Sequence, residues 1–211
     1  MKSVKASSIA DNNRRAFLFG IGGLSLSGAL ALPSNPAFAK GKTMVIDDFS
    51  DPGLISALGT AWRGFSDQVM GGVSEVSVIH TSVDGRPSLQ LSGDVKLDNN
   101  GGFVQAGLNL SEDNGVVDAS RFEGIRLAVR GNGESYSVHL RTPDTVRPWQ
   151  SYRAQFQADP KWSVLELPFD AFTPYRLDTP LDQTRLRRIG LVAIGRAFRA
   201  ELAVSSLMFY S

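Results

Sequence analysis

Cysteine is absent from the sequence, histidine occurs only twice, and the formal net charge is +1 over 211 residues. Without cysteine the chain forms no disulfide, presents no thiolate nucleophile and offers no cysteine-ligated metal site. The balanced charge gives no general affinity for nucleic acid or for an anionic membrane surface. The length suits one domain, and that domain must be stabilised by its hydrophobic core.

The longest apolar run, residues 17–32, is shorter than the roughly 20 residues of a membrane span and is interrupted by glycine. It follows Arg14 and Arg15 and precedes the Ala-Phe-Ala of residues 37–39, which is the order of an export signal. The paired arginines resemble a twin-arginine signal. We therefore expect residues 1–39 to be a signal peptide, with a periplasmic location and no stable membrane span after cleavage. Sec export and a retained anchor are the alternatives.

Beyond residue 39, apolar and polar residues alternate in short runs that are separated by Gly, Pro, Asn and Asp clusters. This period of two is typical of half-buried antiparallel strands. Residues 40–211 are therefore predicted to form a single all-β domain, a jelly-roll β-sandwich. The predicted strands are 73–79, 88–97, 102–110, 122–130, 136–141, 152–158, 162–167, 189–194 and 201–210, with helical turns only at 53–58 and 181–186.

Adjacent glycines at positions 71 and 72 raise the question of a phosphate-binding loop. Such a loop needs a lysine and a following helix, but Gly72 is followed by Val-Ser-Glu and a predicted strand. The favoured interpretation is a turn in which the glycines allow positive φ or close backbone approach, and Asp67 binds backbone N–H groups beside them. Ser66, Asp67, Gly71, Gly72 and Ser74 are predicted to form this structural motif, with phosphate binding as the alternative.

Residue types that carry catalysis are sparse. His80 and His139 occur in no zinc-ligand spacing. Glu166 and Asp170 could serve as the paired carboxylates of a glycosidase, but the strand pattern places them on a solvent face and in the following turn. We therefore predict no catalytic site, no metal and no cofactor.

Calcium is the alternative at the start of the domain. Asp47, Asp48 and Asp51 offer carboxylate oxygens close together in the chain. They do not form the Asp-x-Asp-x-Asp-Gly spacing of a dedicated calcium loop. Calcium binding by these residues therefore stays an open alternative.

Three predicted strands carry polar and cationic side chains on one face, and they would form a single binding surface if they were neighbours. Arginine forks suit carboxylate, phosphate or sugar hydroxyl groups. Trp149, in the loop 143–150, could stack on a sugar or anchor a protein partner; the alternatives are a merely solvated face and a Trp149 packed on the core. Trp62 and Trp162 are expected in the core. The candidate binding residues are Arg126, Arg130, His139, Arg141, Trp149, Arg153 and Gln155.

Several segments together have a recognisable order. They are SDQVMGGVSE, NNGGFVQ, FEGIRLAVRGNGESYSVHLRT, YRAQFQA, KWSVLELPFDAFTPYR and LRRIGLVAIG. In this order they resemble the complex I intermediate-associated protein 30 family, over about residues 47–210. The resemblance implies a galactose-binding-like fold and a non-catalytic role, because the mitochondrial members are assembly factors for respiratory NADH:ubiquinone oxidoreductase.

The predicted leader would place this chain across the membrane from the cytoplasmic arm of that complex. The first hypothesis is therefore an assembly module whose protein partner is another membrane or envelope complex. The second is a periplasmic carbohydrate-binding module, and the third is an enzyme with an unrecognised site. A deep groove lined by aromatic residues would favour a saccharide, whereas a broad exposed patch would favour a protein.

Overall fold

A computed structural model of the protein describes residues 42–211, and the predicted signal peptide lies outside them. The described part contains twelve β-strands, five short 3-10 helices and no α-helix, so the predicted all-β fold is confirmed. No helix in this part is long and apolar enough to cross a bilayer. The strands are β1 (Thr43–Asp47), β2 (Arg63–Ser66), β3 (Glu75–Val83), β4 (Arg86–Val95), β5 (Phe103–Asn109), β6 (Gly124–Gly131), β7 (Glu134–Arg141), β8 (Ser151–Ala158), β9 (Ser163–Pro168), β10 (Thr173–Tyr175), β11 (Arg188–Ile194) and β12 (Phe198–Tyr210).

The strands form two six-stranded antiparallel sheets. The first sheet has the order β3-β4-β12-β6-β9, and β1 pairs with the end of β12. The second sheet has the order β10-β8-β7-β11-β5-β2. Each sheet therefore combines strands that are distant in the sequence.

Alternation along the strands directs apolar side chains between the two sheets. In β6, Ile125, Leu127 and Val129 are fully buried, and in β7 Val138 and Leu140 meet them from the opposite side of the core. Burying each such side chain stabilises the fold by about 1.5–3 kcal/mol. The core thus accounts for the stability of a domain without disulfides.

The nine predicted strands all exist, with ends displaced by a few residues. The prediction missed β1, β2 and β10, which have five, four and three residues and are too short for a visible alternation. Of the two predicted helical turns, the first is a non-helical turn and the second contains a 3-10 helix at Gln183–Arg185.

Two tryptophans predicted for the core have different environments. Trp62 is buried, and its indole N–H donates to Asp47 Oδ2 at 2.7 Å, while the N–H of Phe49 donates to Asp47 Oδ1 at 2.8 Å. Burial raises the pKa of Asp47 above its usual value, although these hydrogen bonds oppose the shift. Both oxygens of the first carboxylate of the calcium hypothesis therefore bind protein donors. Trp162 is only half-buried and lies under the guanidinium of Arg86, so its assignment to the core is wrong.

Candidate functional site

The buried carboxylate of Asp67 joins three segments of the chain. Its Oδ1 accepts the backbone N–H of Ser74 at 2.9 Å. Its Oδ2 accepts the Ser74 hydroxyl and the backbone N–H groups of Gly102, at 2.5 Å, and of Phe103, at 3.3 Å. Ser74 precedes β3 and Phe103 begins β5. Asp67 therefore fixes the short helix on which it lies to the starts of two strands.

The two adjacent glycines shape the space around this carboxylate. A Cβ atom at Gly72 would lie 2.3 Å from Cγ of Asp67, so only glycine fits there. Gly71 has φ of 87° and ends the 3-10 helix Asp67–Met70, whose first turn is capped by the Ser66 hydroxyl. The N–H groups of Gly71 and Gly72 donate to carbonyl oxygens of that same helix. These glycines thus enclose a carboxylate of the protein, and their N–H groups do not converge on an external phosphate.

The charge state of Asp67 follows from its surroundings. Burial raises the pKa of Asp67, but the hydrogen bonds from the Ser74 hydroxyl and from backbone N–H groups outweigh burial, so the pKa lies below its usual value. The residue is therefore ionised at neutral pH. Val69 and Met70 lie on the same short helix as Asp67 and are exposed, so the position of Asp67 also fixes theirs.

A groove of about 720 Å³ crosses the outer face of the second sheet. Its floor consists of side chains and glycines of β5, β11, β7 and β8, including Gln105, His139 and Gly190. One bank is the short helix with Val69 and Met70, and the other is the loop between β7 and β8. The Asp67 motif and the groove are therefore parts of one local structure.

Two glycines leave the middle of the groove floor without side chains. Gly190 stands in register with His139 of β7 on one side and with Gly107 of β5 on the other. A Cβ at Gly190 would lie 2.7 Å from Nε2 of Gln105, and a Cβ at Gly107 would lie 2.6 Å from Nη2 of Arg188. The amide and guanidinium groups can lie over the sheet because these two positions have no side chain.

Four of the predicted binding residues come together in this groove. His139, Arg141, Trp149 and Arg153 all line it. Gln155 is exposed on β8, two residues beyond Arg153 along the same face. These five residues belong to β7, β8 and the loop between them.

The prediction that Arg126 and Arg130 share this face is wrong, because β6 belongs to the first sheet. The Arg126 guanidinium pairs with Glu166 of β9 at 2.7 Å, and that of Arg130 pairs with Asp84 at 3.0 Å. Glu166, one of the two carboxylates considered for glycoside hydrolysis, is therefore half of a surface ion pair on the opposite side of the molecule.

The sequence prediction missed several residues of the groove. Arg188 was omitted because the predicted strand began one residue later, although Arg188 and Gly190 alternate with buried Ile189 and Leu191. That alternation was the available indication. Other missed lining residues include Phe65, Met70, Gln105, Tyr175 and Arg176.

The charged side chains that line the groove are all positive. Arg141, Arg153, Arg176 and Arg188 line it, and no Asp or Glu of the described chain does. None of these four arginines forms an ion pair with an acidic residue among residues 42–211. Burial lowers the pKa of Arg188, and the neighbouring cations Arg187 and Arg63 lower it further. The floor is therefore a region of positive potential without a neutralising side chain.

Two of the groove's aromatic rings are covered by arginine. The Arg153 guanidinium lies 3.5 Å from the ring centroid of Tyr175, and that of Arg188 lies 4.5 Å from the ring centroid of Phe65. Trp149, in contrast, lies on the bank formed by the loop between β7 and β8 and is 47% exposed. Its indole is therefore available to a ligand.

His139 is neutral at the bottom of the groove. Burial lowers the pKa of His139 to about 3, with a further contribution from the positive charge of Arg153. Its Nε2 atom is buried and has no hydrogen-bond partner within the described residues, and the same holds for Nε of Arg188. Two polar atoms at the floor thus have unused hydrogen-bonding capacity. No group of three or more metal-ligating side chains occurs in residues 42–211.

Comparison with solved structures finds β-sandwich domains of the same fold. The family 11 carbohydrate-binding module from Clostridium thermocellum, in complex with a β-1,3-1,4-mixed-linked tetrasaccharide, superposes with a TM-score of 0.59 at 18% identity, over 81% of this chain and 96% of that one. The family 30 module of the cellulase Cel9D-Cel44B of Clostridium thermocellum gives 0.57 at 14% identity, over 81% and 98%. At such identities the likeness establishes the fold, which confirms the predicted galactose-binding-like jelly roll.

Sequence comparison adds the family. Comparison with curated proteins gives no match. The sequence profile of the family described as complex I intermediate-associated protein 30 matches residues 48–204, which include the Asp67 motif, all of the second sheet and most of the first. The chain therefore belongs to the complex I intermediate-associated protein 30 family.

Proposed function

We propose that this protein is a non-catalytic binding module that assists the assembly or stability of a membrane or envelope protein complex, and that it holds its partner in the groove of the second sheet. The observation that carries the proposal is the pair of apolar banks around a cationic floor. Membership of a family of assembly proteins supports the same conclusion.

Both banks of the groove expose large apolar side chains to solvent. Val69 is 73% exposed and Met70 is 55% exposed on one bank, and Trp149 is 47% exposed on the other. Exposed apolar side chains that border a cavity mark interaction surfaces. Methionine and tryptophan are also well suited to contact partners, because one adapts its shape and the other has a large apolar surface.

The chemistry of the floor favours binding over catalysis. An imidazole with a pKa of about 3, as in His139, does not accept a proton at neutral pH. Apart from the phenol of Tyr175, the other ionisable groups that line the groove are arginines, which stay protonated and serve as hydrogen-bond donors. Binding and orienting an anionic or polar group is the task that these side chains can perform.

Partner capture from membranes tests the proposal. Tagged protein is cross-linked to solubilised envelope membranes, and the captured proteins are compared between the wild type and the variant Met70→Ser/Trp149→Ala. We expect a reproducible partner with the wild type and its loss with the variant. Ile79→Ser/Val164→Ala is the matched control, because both residues are exposed on the first sheet. Equal capture by the wild type and the groove variant would refute the proposal.

A periplasmic carbohydrate-binding module is the second candidate, favoured by the exposed indole of Trp149 at a groove. A glycan array with the wild type and Trp149→Ala distinguishes the two. Micromolar binding of a neutral saccharide that Trp149→Ala abolishes would establish this candidate. Binding of a membrane protein without any saccharide would exclude it.

We also propose that residues 1–39 direct export to the periplasm, followed by cleavage. The support is the order of paired arginines, apolar run and Ala-Phe-Ala. Cell fractionation and N-terminal sequencing test it, with Arg14→Lys/Arg15→Lys as the variant. Twin-arginine export predicts that this variant stays in the cytoplasm uncleaved. Unchanged export of the variant would point to the Sec route.

A further inference from the structure

The groove has a positive charge, and its side chains have hydrogen-bond donors that are free to bind a ligand. Its four arginines have no acidic partner in the described chain, whereas Arg126 and Arg130 on the opposite sheet are both paired. Two of the four already donate hydrogen bonds within the protein. Arg141 donates to the carbonyls of Thr145 and Arg147, and Arg153 donates to the Ser151 hydroxyl. These two arginines therefore help to hold the loop that carries Trp149.

Arg188 differs from them. Its Nε atom is buried and forms no hydrogen bond to any residue between 42 and 211. Its guanidinium lies over Phe65 and above Gly107, at the boundary between the groove and a second depression of about 610 Å³. A buried N–H group without a hydrogen-bond partner retains the free-energy cost of its desolvation until an acceptor binds. The acceptor that best matches its fork is a carboxylate.

The remaining surfaces distinguish between two sources of a carboxylate. Sugar rings stack on aromatic faces, but one face of Tyr175 and one of Phe65 are covered by guanidinium groups. The most exposed apolar groups of the bank formed by the short helix are aliphatic, Val69 and Met70. An aliphatic bank suits the aliphatic and aromatic side chains of a polypeptide better than it suits a polar saccharide.

We propose that the groove binds an acidic segment of a polypeptide partner, and that Arg188 receives one of its carboxylates. Apolar side chains of the same segment contact Met70 and Trp149 on the two banks. His139, which is neutral, lies on the floor in register with Gly190 and offers one further hydrogen bond to the segment. This inference rests on the proposed function and adds the chemistry of the partner.

Two blocked peptides of about ten residues, the size of an extended recognition segment, test the inference by calorimetry and tryptophan fluorescence. One contains glutamates between leucines, and the other has glutamine in place of each glutamate. We expect the wild-type protein to bind the glutamate peptide at least about tenfold more tightly, because charge-assisted hydrogen bonds exceed neutral ones by that amount. We also expect this binding to weaken as salt is raised. Since both peptides meet the same folded protein, the comparison does not depend on a variant's stability.

Substitutions in the protein then test whether Arg188 is the residue that binds the peptide carboxylate. Arg188→Gln should weaken binding of the glutamate peptide about tenfold or more and remove most of the preference over the glutamine peptide. Arg126→Gln is the matched control, because it removes the same charge from the first sheet, and it should leave binding unchanged. Thermal unfolding of both variants checks that they are folded.

The outcomes separate this inference from the proposed function. Equal affinity for the two peptides, or an unchanged preference in Arg188→Gln, overturns the acidic-segment proposal, while partner capture that depends on Met70 and Trp149 would still support the proposed function. Binding of an oligogalacturonate in place of the peptide, lost in Arg188→Gln, would show that the carboxylate belongs to a saccharide and would also overturn the inference.

Discussion

The guanidinium of Arg153 lies over the ring of Tyr175, with its central carbon 3.5 Å from the ring centroid. Arg153 comes from β8 and Tyr175 from the three-residue edge strand β10, so the contact attaches this strand's side chain to the floor of the groove. The same arginine donates to the Ser151 hydroxyl. One side chain therefore links the edge of the sheet to the groove floor.

A double-mutant cycle should measure this contact. We expect Arg153→Gln and Tyr175→Leu to show a coupling of about 0.5–1 kcal/mol in the free energy of unfolding, since a partly exposed cation–π pair has that value. The measurement is urea denaturation of the four proteins. The pair Arg176 and Tyr175, whose separation is 5.5 Å, should give a smaller coupling. A coupling of zero for Arg153 would show that the stacking does not stabilise the fold.

Asp67→Asn should destabilise the domain by about 2–4 kcal/mol, because an amide presents an N–H group where the carboxylate accepts several donors. The pKa of Asp67 is lowered in the folded state, so its charge stabilises the fold above the unfolded pKa of about 4 and this contribution is lost as pH falls through the folded pKa. The difference between wild type and variant in denaturant unfolding should therefore be constant near neutral pH and should shrink in acid. A difference that grows in acid would contradict the assigned direction.

Gly72→Ala should be more harmful than an ordinary glycine replacement. The added methyl group would lie 2.3 Å from the Asp67 carboxyl carbon, so the 3-10 helix or the carboxylate must move, at a cost of more than about 2 kcal/mol. Gly85→Ala is the control: its φ is also positive, at 77°, but nothing lies within 4 Å of the new methyl, and it should cost about 1 kcal/mol. Equal melting temperatures for the two variants would contradict the close approach at Gly72.

His139 should stay neutral across the ordinary pH range. Because its pKa is about 3 when folded and about 6.5 when unfolded, the unfolded chain binds the additional proton between these values. Stability should therefore fall as pH decreases from about 6.5 towards 3. His139→Phe, which keeps a planar ring, should reduce this slope in denaturation experiments. In proton NMR, the histidine signal that this variant removes should not shift between about pH 8 and pH 5; a midpoint near 6.5 would show that the ring is solvated.

The period-two pattern predicted nine strands because half-buried strands impose it directly on the sequence. It could not predict which strands become neighbours. Arg126 and Arg130 of β6 share a face with the residues of β7 only if the two strands are neighbours, whereas β6 pairs with β9 and β12. Pairing between distant strands leaves no local trace, so the cationic face was only partly predictable.

The groove was harder to predict than the sandwich. Trp149, His139 and Arg153 could be identified from local polarity, but the role of Gly190 depends on Gln105, a side chain from another strand. The burial of His139 likewise results from neighbouring strands on both sides of β7. Packing between neighbouring strands thus determines the site, and this packing cannot be read from a single sequence.

The placement of β12 has a consequence for synthesis. This strand lies between β4 and β6 and pairs with both, yet it follows them by about a hundred and by about seventy residues. While it is still inside the ribosome, β4 and β6 each keep one edge without its final neighbour, and such edges attract other nascent chains. The first sheet can close only when residues 198–210 emerge, so shielding by a chaperone would be needed most in the interval just before that point.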